Sequence, residues 1–408
     1  NSEDYINQKE EESRITNALS NFTKNNTSII FGSALVVVAL SVYGISKLEV
    51  ENSFINYFDK KTEIYKGMKI IDDQLGGTTP LDVVLKFPTN NNSETKDEEF
   101  SEWEEDAPSS KDDPSKYWFT RNKIDKILKV HDYLDSLPEI GKVISFGSII
   151  RVAEELTGNK LETLETGVLY SKIPEEIKKE VISPYISVKD NEARISVRIK
   201  DSLKDLRRNE LIKKINIELK SKVGLTEDEY KLAGVLILFN NLLQSLFKSQ
   251  ILTLGVVMLG ISSMFLILFR NLTLSFIGVV PNFMAAFFIL GIIGLLGIPL
   301  DMMTITIAAI TIGIAVDNSI HYIYRFKEEF KKIKSYNETI DRCHNTVGVA
   351  ILNTSITIVF GFSILILSNF IPTIYFGVFT GIAMLLALIS VLTLLPKLIL
   401  VFKPFGDE

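Results

Sequence analysis

Between residues 250 and 401 the chain is apolar in five stretches, 252–269, 272–296, 302–324, 347–367 and 374–395, separated by short connections. At roughly 1.5 Å per residue in a helix, each is of about the length that crosses a hydrocarbon core of about 30 Å. A sixth stretch of this kind, SIIFGSALVVVALSVYGIS at 28–46, stands near the start. In lipid every backbone N–H and C=O has to be satisfied within the chain, so stretches of this length fold as membrane-spanning helices. With 46% hydrophobic residues concentrated here, an ordinary soluble protein of 408 residues is excluded.

The remaining residues divide simply. Residues 1–27 are polar, with both signs of charge in KEEESR, and are expected to be a cytoplasmic lead-in. The Asn at position 1 in place of Met reads as a fragment of a longer chain or a processed one. Residues 47–249 have soluble-domain character. LDVVLKF (81–87), GKVISF (141–146), ARISVRI (193–199) and 230–235 predict strands, and the apolar spacing at 121–137 and 210–223 predicts helices. Two strand-helix-strand units in tandem imply a ferredoxin-like α+β domain, with helices on one face of a sheet. Its insert at 90–116, NNNSETKDEEFSEWEEDAPSSKDD in the core, is too acidic to fold alone and lacks EF-hand spacing, and reads as a solvated loop or else a divalent-ion or partner-binding site. The single cysteine, Cys343, leaves no internal disulfide, so the domain rests on its own core.

Lys and Arg set the orientation. Arg325, Lys327, Lys331, Lys332, Lys334 and Arg342 all fall within 325–348, whereas 297–301 and 368–373 carry none. The 325–348 segment is therefore expected in the cytoplasm. By parity of the spans both termini, including a tail at 402–408, lie there too, and 47–249 lies outside.

Within the five-span core at 250–401 one spanning stretch carries an acid. In TITIAAITIGIAVDNSIHYIYR (304–325) Asp317 stands about 12 Å from the inner end of the helix. A carboxylate in hydrocarbon costs at least a few kcal/mol and is tolerated mainly where it faces a protein interior or a water file. Removal from water raises its pKa, and a polar partner that comes and goes moves that pKa across the ambient value, which suits a proton carrier. Helical spacing puts Gly313, Asp317 and His321 on one stripe, with Gly313 giving a neighbouring helix room and His321 as an inner relay or an interfacial aromatic. In AILNTSITIVFGF (350–362) Asn353, Thr354, Ser355 and Thr357 offer an amide and hydroxyls that bond either protonation state of an acid, or else bond their own backbone. No Walker pattern, HExxH or nucleophile elbow is present, so neither ATP nor a hydrolytic centre is indicated and the chain is not read as an enzyme.

GIAVDNSIHYIYRFKEE (313–329) resembles the signature of the resistance-nodulation-division (RND) superfamily, in which a small-residue run precedes a membrane Asp and an Arg and acidic pair follow. GGTTPLDVVLKF (76–87) is similar to the start of the outer domain in its MMPL and hopanoid-exporter branch. The resemblance implies a multi-pass protein of the bacterial inner membrane with a periplasmic domain, exporting lipids or other hydrophobic molecules. Its energy source would be the proton gradient, with no cofactor. By the same resemblance Asp317 matches the proton-relay acid and Thr354 or Thr357 the hydroxyl on the neighbouring helix. Asn318 stands where that branch often has Tyr, a departure at the residue that usually pairs between halves. Family members usually have two six-span halves, so the implied partner is a missing N-terminal half or a second copy. A secretion accessory of the SecD/SecF type and a sterol-sensing lipid sensor share the same core and are the alternative readings. Nothing points to nucleic acid.

Overall fold

A computed structural model describes residues 2–50, 55–88, 118–161, 163–203 and 206–406; the acidic insert at 90–116 lies outside the described residues. Helices α1 (Ser2–Asn25), α2 (Thr27–Ile45) and α3 (Glu63–Gln74) precede strand β1 (Thr79–Lys86). Helix α4 (Arg121–Asp135), strand β2 (Ile140–Ile144) and helices α5 (Phe146–Thr157), α6 (Thr163–Lys172) and α7 (Glu175–Ile177) follow. Next come β3 (Ile186–Ser187), β4 (Glu192–Ile199), α8 (Arg208–Ser221) and β5 (Tyr230–Ala233). The rest is helical: α9 (Val235–Phe269), α10 (Leu272–Leu295), α11 (Ile307–Ile333), α12 (Tyr336–Cys343), α13 (Val349–Ser363), α14 (Ile371–Leu392) and α15 (Leu394–Phe402). Two compact units result, one of Asn1–Asn52, Tyr57–Asp59 and Leu242–Glu408, the other of Ser53–Asn56 and Lys60–Asn241.

The second unit is built on an antiparallel sheet in the order β2-β4-β1-β5, with β3 paired to β4. Alternation along β4 buries Ala193, Ile195, Val197 and Ile199, and β1 adds Leu81, Val83 and Leu85. Against this face α4 sets Ile124, Ile127, Val130 and Leu134, and α8 sets Leu211, Ile212, Ile215 and Leu219. Each such side chain stabilises the unit by about 1.5–3 kcal/mol relative to exposure. The expected strands and both expected helices are present. The region between β2 and β4, for which the sequence suggested no element, holds α5, α6 and α7 as well.

Among the described residues six helices are long and apolar enough to cross a membrane: Thr27–Ile45, Val235–Phe269, Leu272–Leu295, Thr304–Ile333, Tyr336–Leu367 and Ile371–Phe402. The polar start is the helix α1, whose Ser20 and Lys24 bond Asp341 of α12 at 2.6 and 2.7 Å. The basic stretch 325–348 is not a loop: α11 runs through Arg325 to Ile333, and α12 and a π-helical turn at His344–Gly348 complete it. The last span, expected at 374–395, breaks at Thr393, because Pro396 has no N–H to offer the carbonyl four residues before it.

Helix α10 is packed by α2, α11, α14 and α15. Its contact with α2 depends on missing side chains: a Cβ at Gly44 would run into the carbonyl of Gly291, and one at Gly294 into the carbonyl of Gly44. Lipid gives no hydrophobic drive between helices, so close backbone approach of this kind supplies the dispersion contact.

Candidate functional site

Helix α11 begins at a turn fixed by Asp301, whose Oδ1 accepts the backbone N–H groups of Met303 and Thr304, both at 2.8 Å. One face of the helix is buried through Ala308, Ile312, Ala315, Ser319, Tyr322 and Phe326. The opposite face stays open, and on it lie Gly313, Asp317, His321 and Tyr324, all exposed. A Cβ at Gly313 would meet nothing within 4 Å, so within this chain the glycine makes no close helix approach. Among the described residues neither Asp317 nor His321 forms a hydrogen bond or ion pair.

On α13, Asn353, Thr354 and Thr357 are also exposed. The two helices are tied between these stripes: Asn318 Nδ2 donates to Ser355 Oγ at 3.3 Å, and both residues are buried. Asp317 and Thr354 are the immediate chain neighbours of this tie, on the exposed side. The hydroxyls of Thr354 and Thr357 donate to their own helix, to Ala350 O at 2.7 Å and Asn353 O at 2.8 Å, which leaves their oxygens free to accept. Asn318 thus faces inward, as a brace between spans, and does not share the open face with Asp317.

Several polar groups behind this face have no conspicuous sequence signature. Asn282 of α10 donates to Ser319 Oγ at 3.0 Å and to Gly278 O at 2.8 Å, while its Oδ1 is buried without a partner among the described residues. The hydroxyls of Thr311 and Thr380 are likewise buried and unpaired there. Orphaned polar atoms in a dry interior are costly, and such atoms are where ordered water enters a helical bundle. Nearer the basic end, Arg325 pairs with buried Glu329 at 3.0 Å, and Tyr322 meets His344, both fully buried. A single amide, or a histidine in a polar connection, is a weak signal on its own; only the packing reveals these groups.

The second unit carries an apolar groove of about 530 Å³ between α5 and α6, lined by Ala153, Leu156, Leu161 and Val168 and rimmed by Glu165 and Lys172. Among the described residues no group of three or more His, Cys, Asp or Glu is arranged to hold a metal ion.

Against known proteins, the chain is 24% identical over 380 residues to the membrane protein MJ1562 of Methanocaldococcus jannaschii, a match covering 90% of this chain and 89% of that protein. It is 28% identical over 114 residues to the hopanoid transporter HpnN of Burkholderia multivorans, covering 27% of this chain and 12% of HpnN. The model of the MMPL family matches residues 130–406, which take in the helices from α5 to α15 and so the whole open face of α11 and α13. On that match, and in keeping with the resemblance carried by residues 313–329, the chain belongs to the MMPL family.

Proposed function

We propose that the protein is an exporter of lipids or other hydrophobic molecules, driven by the proton gradient without a further cofactor. The observation that carries this reading is the open stripe of Gly313, Asp317 and His321 on α11 beside Asn353, Thr354 and Thr357 on α13. An acid on an apolar helix is tolerated where water or protein meets it. Here Asp317 takes the proton and His321, one turn nearer the basic end, passes it on. The oxygens of Thr354 and Thr357 accept from the protonated acid. Asn318, tied to Ser355, transmits the resulting change between spans. Binding and release of the proton then bias two packings of the bundle, and the substrate follows. A lipid-like substrate is supported by the family and by HpnN's being a hopanoid transporter. The apolar groove between α5 and α6 is of a chemistry that would take such a molecule.

In this reading the protein lies in the inner membrane with both termini in the cytoplasm. Support comes from the end at which α1, α12 and the last helix meet: Tyr336 Oη donates to Gly406 O at 2.9 Å, Lys397 Nζ donates to Lys24 O at 3.0 Å, and the basic residues 325–342 lie on the helices there. The sheet-bearing unit is then periplasmic, and its order β2-β4-β1-β5 with α4 and α8 between strands supports reading it as a ferredoxin-like sandwich.

The test is substrate export from proteoliposomes under an imposed pH gradient. Asp317→Asn, which keeps shape and removes the titration, is expected to lower proton-coupled export at least about a hundredfold. Export at the wild-type rate in this variant would overturn the role of Asp317.

A further inference from the structure

We infer that His344 is a proton-sensitive clamp, a positioning residue that holds the break in the last span against the π-helical turn of the fifth span and, through Tyr322, against the helix that bears Asp317. The argument begins at Pro396. Because proline has no N–H, the carbonyl of Leu392 loses the partner it would have in a continuous helix, and the chain turns aside at Thr393. Two side chains replace that partner: His344 Nε2 lies 2.9 Å from Leu392 O, and Thr23 Oγ1 of α1 donates to it at 3.3 Å. A carbonyl only accepts, so Nε2 carries a hydrogen.

The other ring nitrogen stands between two groups of opposite capability. Nδ1 is 3.1 Å from Tyr322 Oη and 3.0 Å from Ile340 O. In the neutral ring Nδ1 accepts the Tyr322 hydroxyl hydrogen. In the charged ring Nδ1 is a donor, its hydrogen is shared between Ile340 O and the Tyr322 hydroxyl oxygen, and the hydroxyl hydrogen has to turn away. Both states keep their partners on the spans that His344 joins. Protonation, however, reverses the bond to α11. His344 itself opens the π-helical turn His344–Gly348, a geometry that recurs where helices flex at functional positions.

Around the ring the titratable groups include Lys24 of α1, Tyr322 of α11, Asp341 and Cys343 of α12, and Lys397 of α15, with Arg325 and Glu329 of α11 acting on the neighbouring Cys343. Asp341 is already engaged by Lys24 at 2.7 Å and by Ser20 at 2.6 Å. The clamp does not depend on Asp317 carrying a proton. It answers to pH at the end of the spans where α1 packs on α12, and it acts on how firmly α11 is held.

Two measurements on the full chain in nanodiscs test this. The sequence has three histidines, so ¹⁵N-histidine labelling resolves His131, His321 and His344, the last assigned by its loss in His344→Gln. The His344 ring is expected to pass from the Nε2–H tautomer to the doubly protonated form as the pH is lowered from about 8 to about 4. Hydrogen exchange of residues 340–349 and 390–397, corrected for intrinsic rates, is expected to speed up by about threefold or more over the same interval. It should stay flat in His344→Gln and in Tyr322→Phe, which lacks the hydroxyl that reverses. In Asp317→Asn the pH response should persist whether or not export is lost, which separates this clamp from the proton-carrier reading. A ring held in one state across the interval overturns the proposal, and so does a pH response in His344→Gln equal to that of the wild type.

Discussion

His131 lies on α4 with 5% of its surface exposed, its Nδ1 2.9 Å from Ser145 Oγ at the start of α5. Burial, with the charge of Arg151 adding to it, holds its pKa below the ordinary 6.5. The sign follows directly. As pH falls below about 6.5 the unfolded chain takes up this proton before the folded one does, so the stability contributed by the neutral ring is full above that pH and declines below it, at no more than about 1.4 kcal/mol per pH unit. Hydrogen exchange of β2 and α5 followed from pH 7.5 to 5.5 should show that decline, and His131→Asn should flatten it. A slope unchanged in the variant would assign the effect to other groups. Asp317 was legible in the sequence for a similar electrostatic reason, since one acid in a long apolar run stands out. His131 and His344 were not, because a histidine in a polar segment says nothing of its burial until the neighbouring helices are in place. Asn318 shows the same limit. Helical spacing separates it by about 100° from Asp317, but whether that turn leads inward or outward depends on which face α10 and α13 cover.

Helix α2 packs on α10 through backbone, and that contact makes the sharpest statement about elements. Gly294→Val places a branched side chain against the carbonyl of Gly44, which cannot yield without moving a helix. A loss of about 1–3 kcal/mol is expected, read as a lowered midpoint in thermal unfolding in detergent. Gly313→Ala is the matched control, because nothing lies within 4 Å of its new methyl group, and its midpoint should stay within about 0.5 kcal/mol of wild type. Equal losses in both variants would mean that helix propensity, not packing, is being measured. The same distinction explains which elements could be read from the chain. The apolar runs declare themselves by length, and β4 by its strict alternation. Helix α1 does not, since its buried Thr16, Ser20 and Thr23 are polar and its docking rests on Asp341 and Leu392, far away in sequence. Helix α6 leaves Val168 on the surface, and its apolar residues do not form the single clean stripe that marks a core helix.

At the scale of the whole molecule, the open face of α11 and α13 asks for a cover. Asn353, Thr354, Asp317 and His321 are exposed on helices that are otherwise apolar enough to lie in lipid, where such groups are expensive. The family resemblance implied a second six-span half or a second copy, and the geometry favours a surface that approaches closely, because Gly313 sits beside the acid with open space above it. A second copy is the simplest such surface. Two identical faces meeting about a twofold axis would bring each Gly313 and Asp317 near the other chain's, giving the paired polar centre that one chain leaves half built. Cysteine cross-linking reads this directly, and the background is low because the single native cysteine, Cys343, is buried. Gly313→Cys in native membranes should give covalent dimers under mild oxidation. Leu259→Cys, which replaces a side chain 71% exposed on α9, should give about tenfold fewer, since its position has no reason to meet its own copy. If Gly313→Cys cross-links no better than Leu259→Cys, two copies do not meet at this face, and the cover over Asp317 has to come from a different chain or from water.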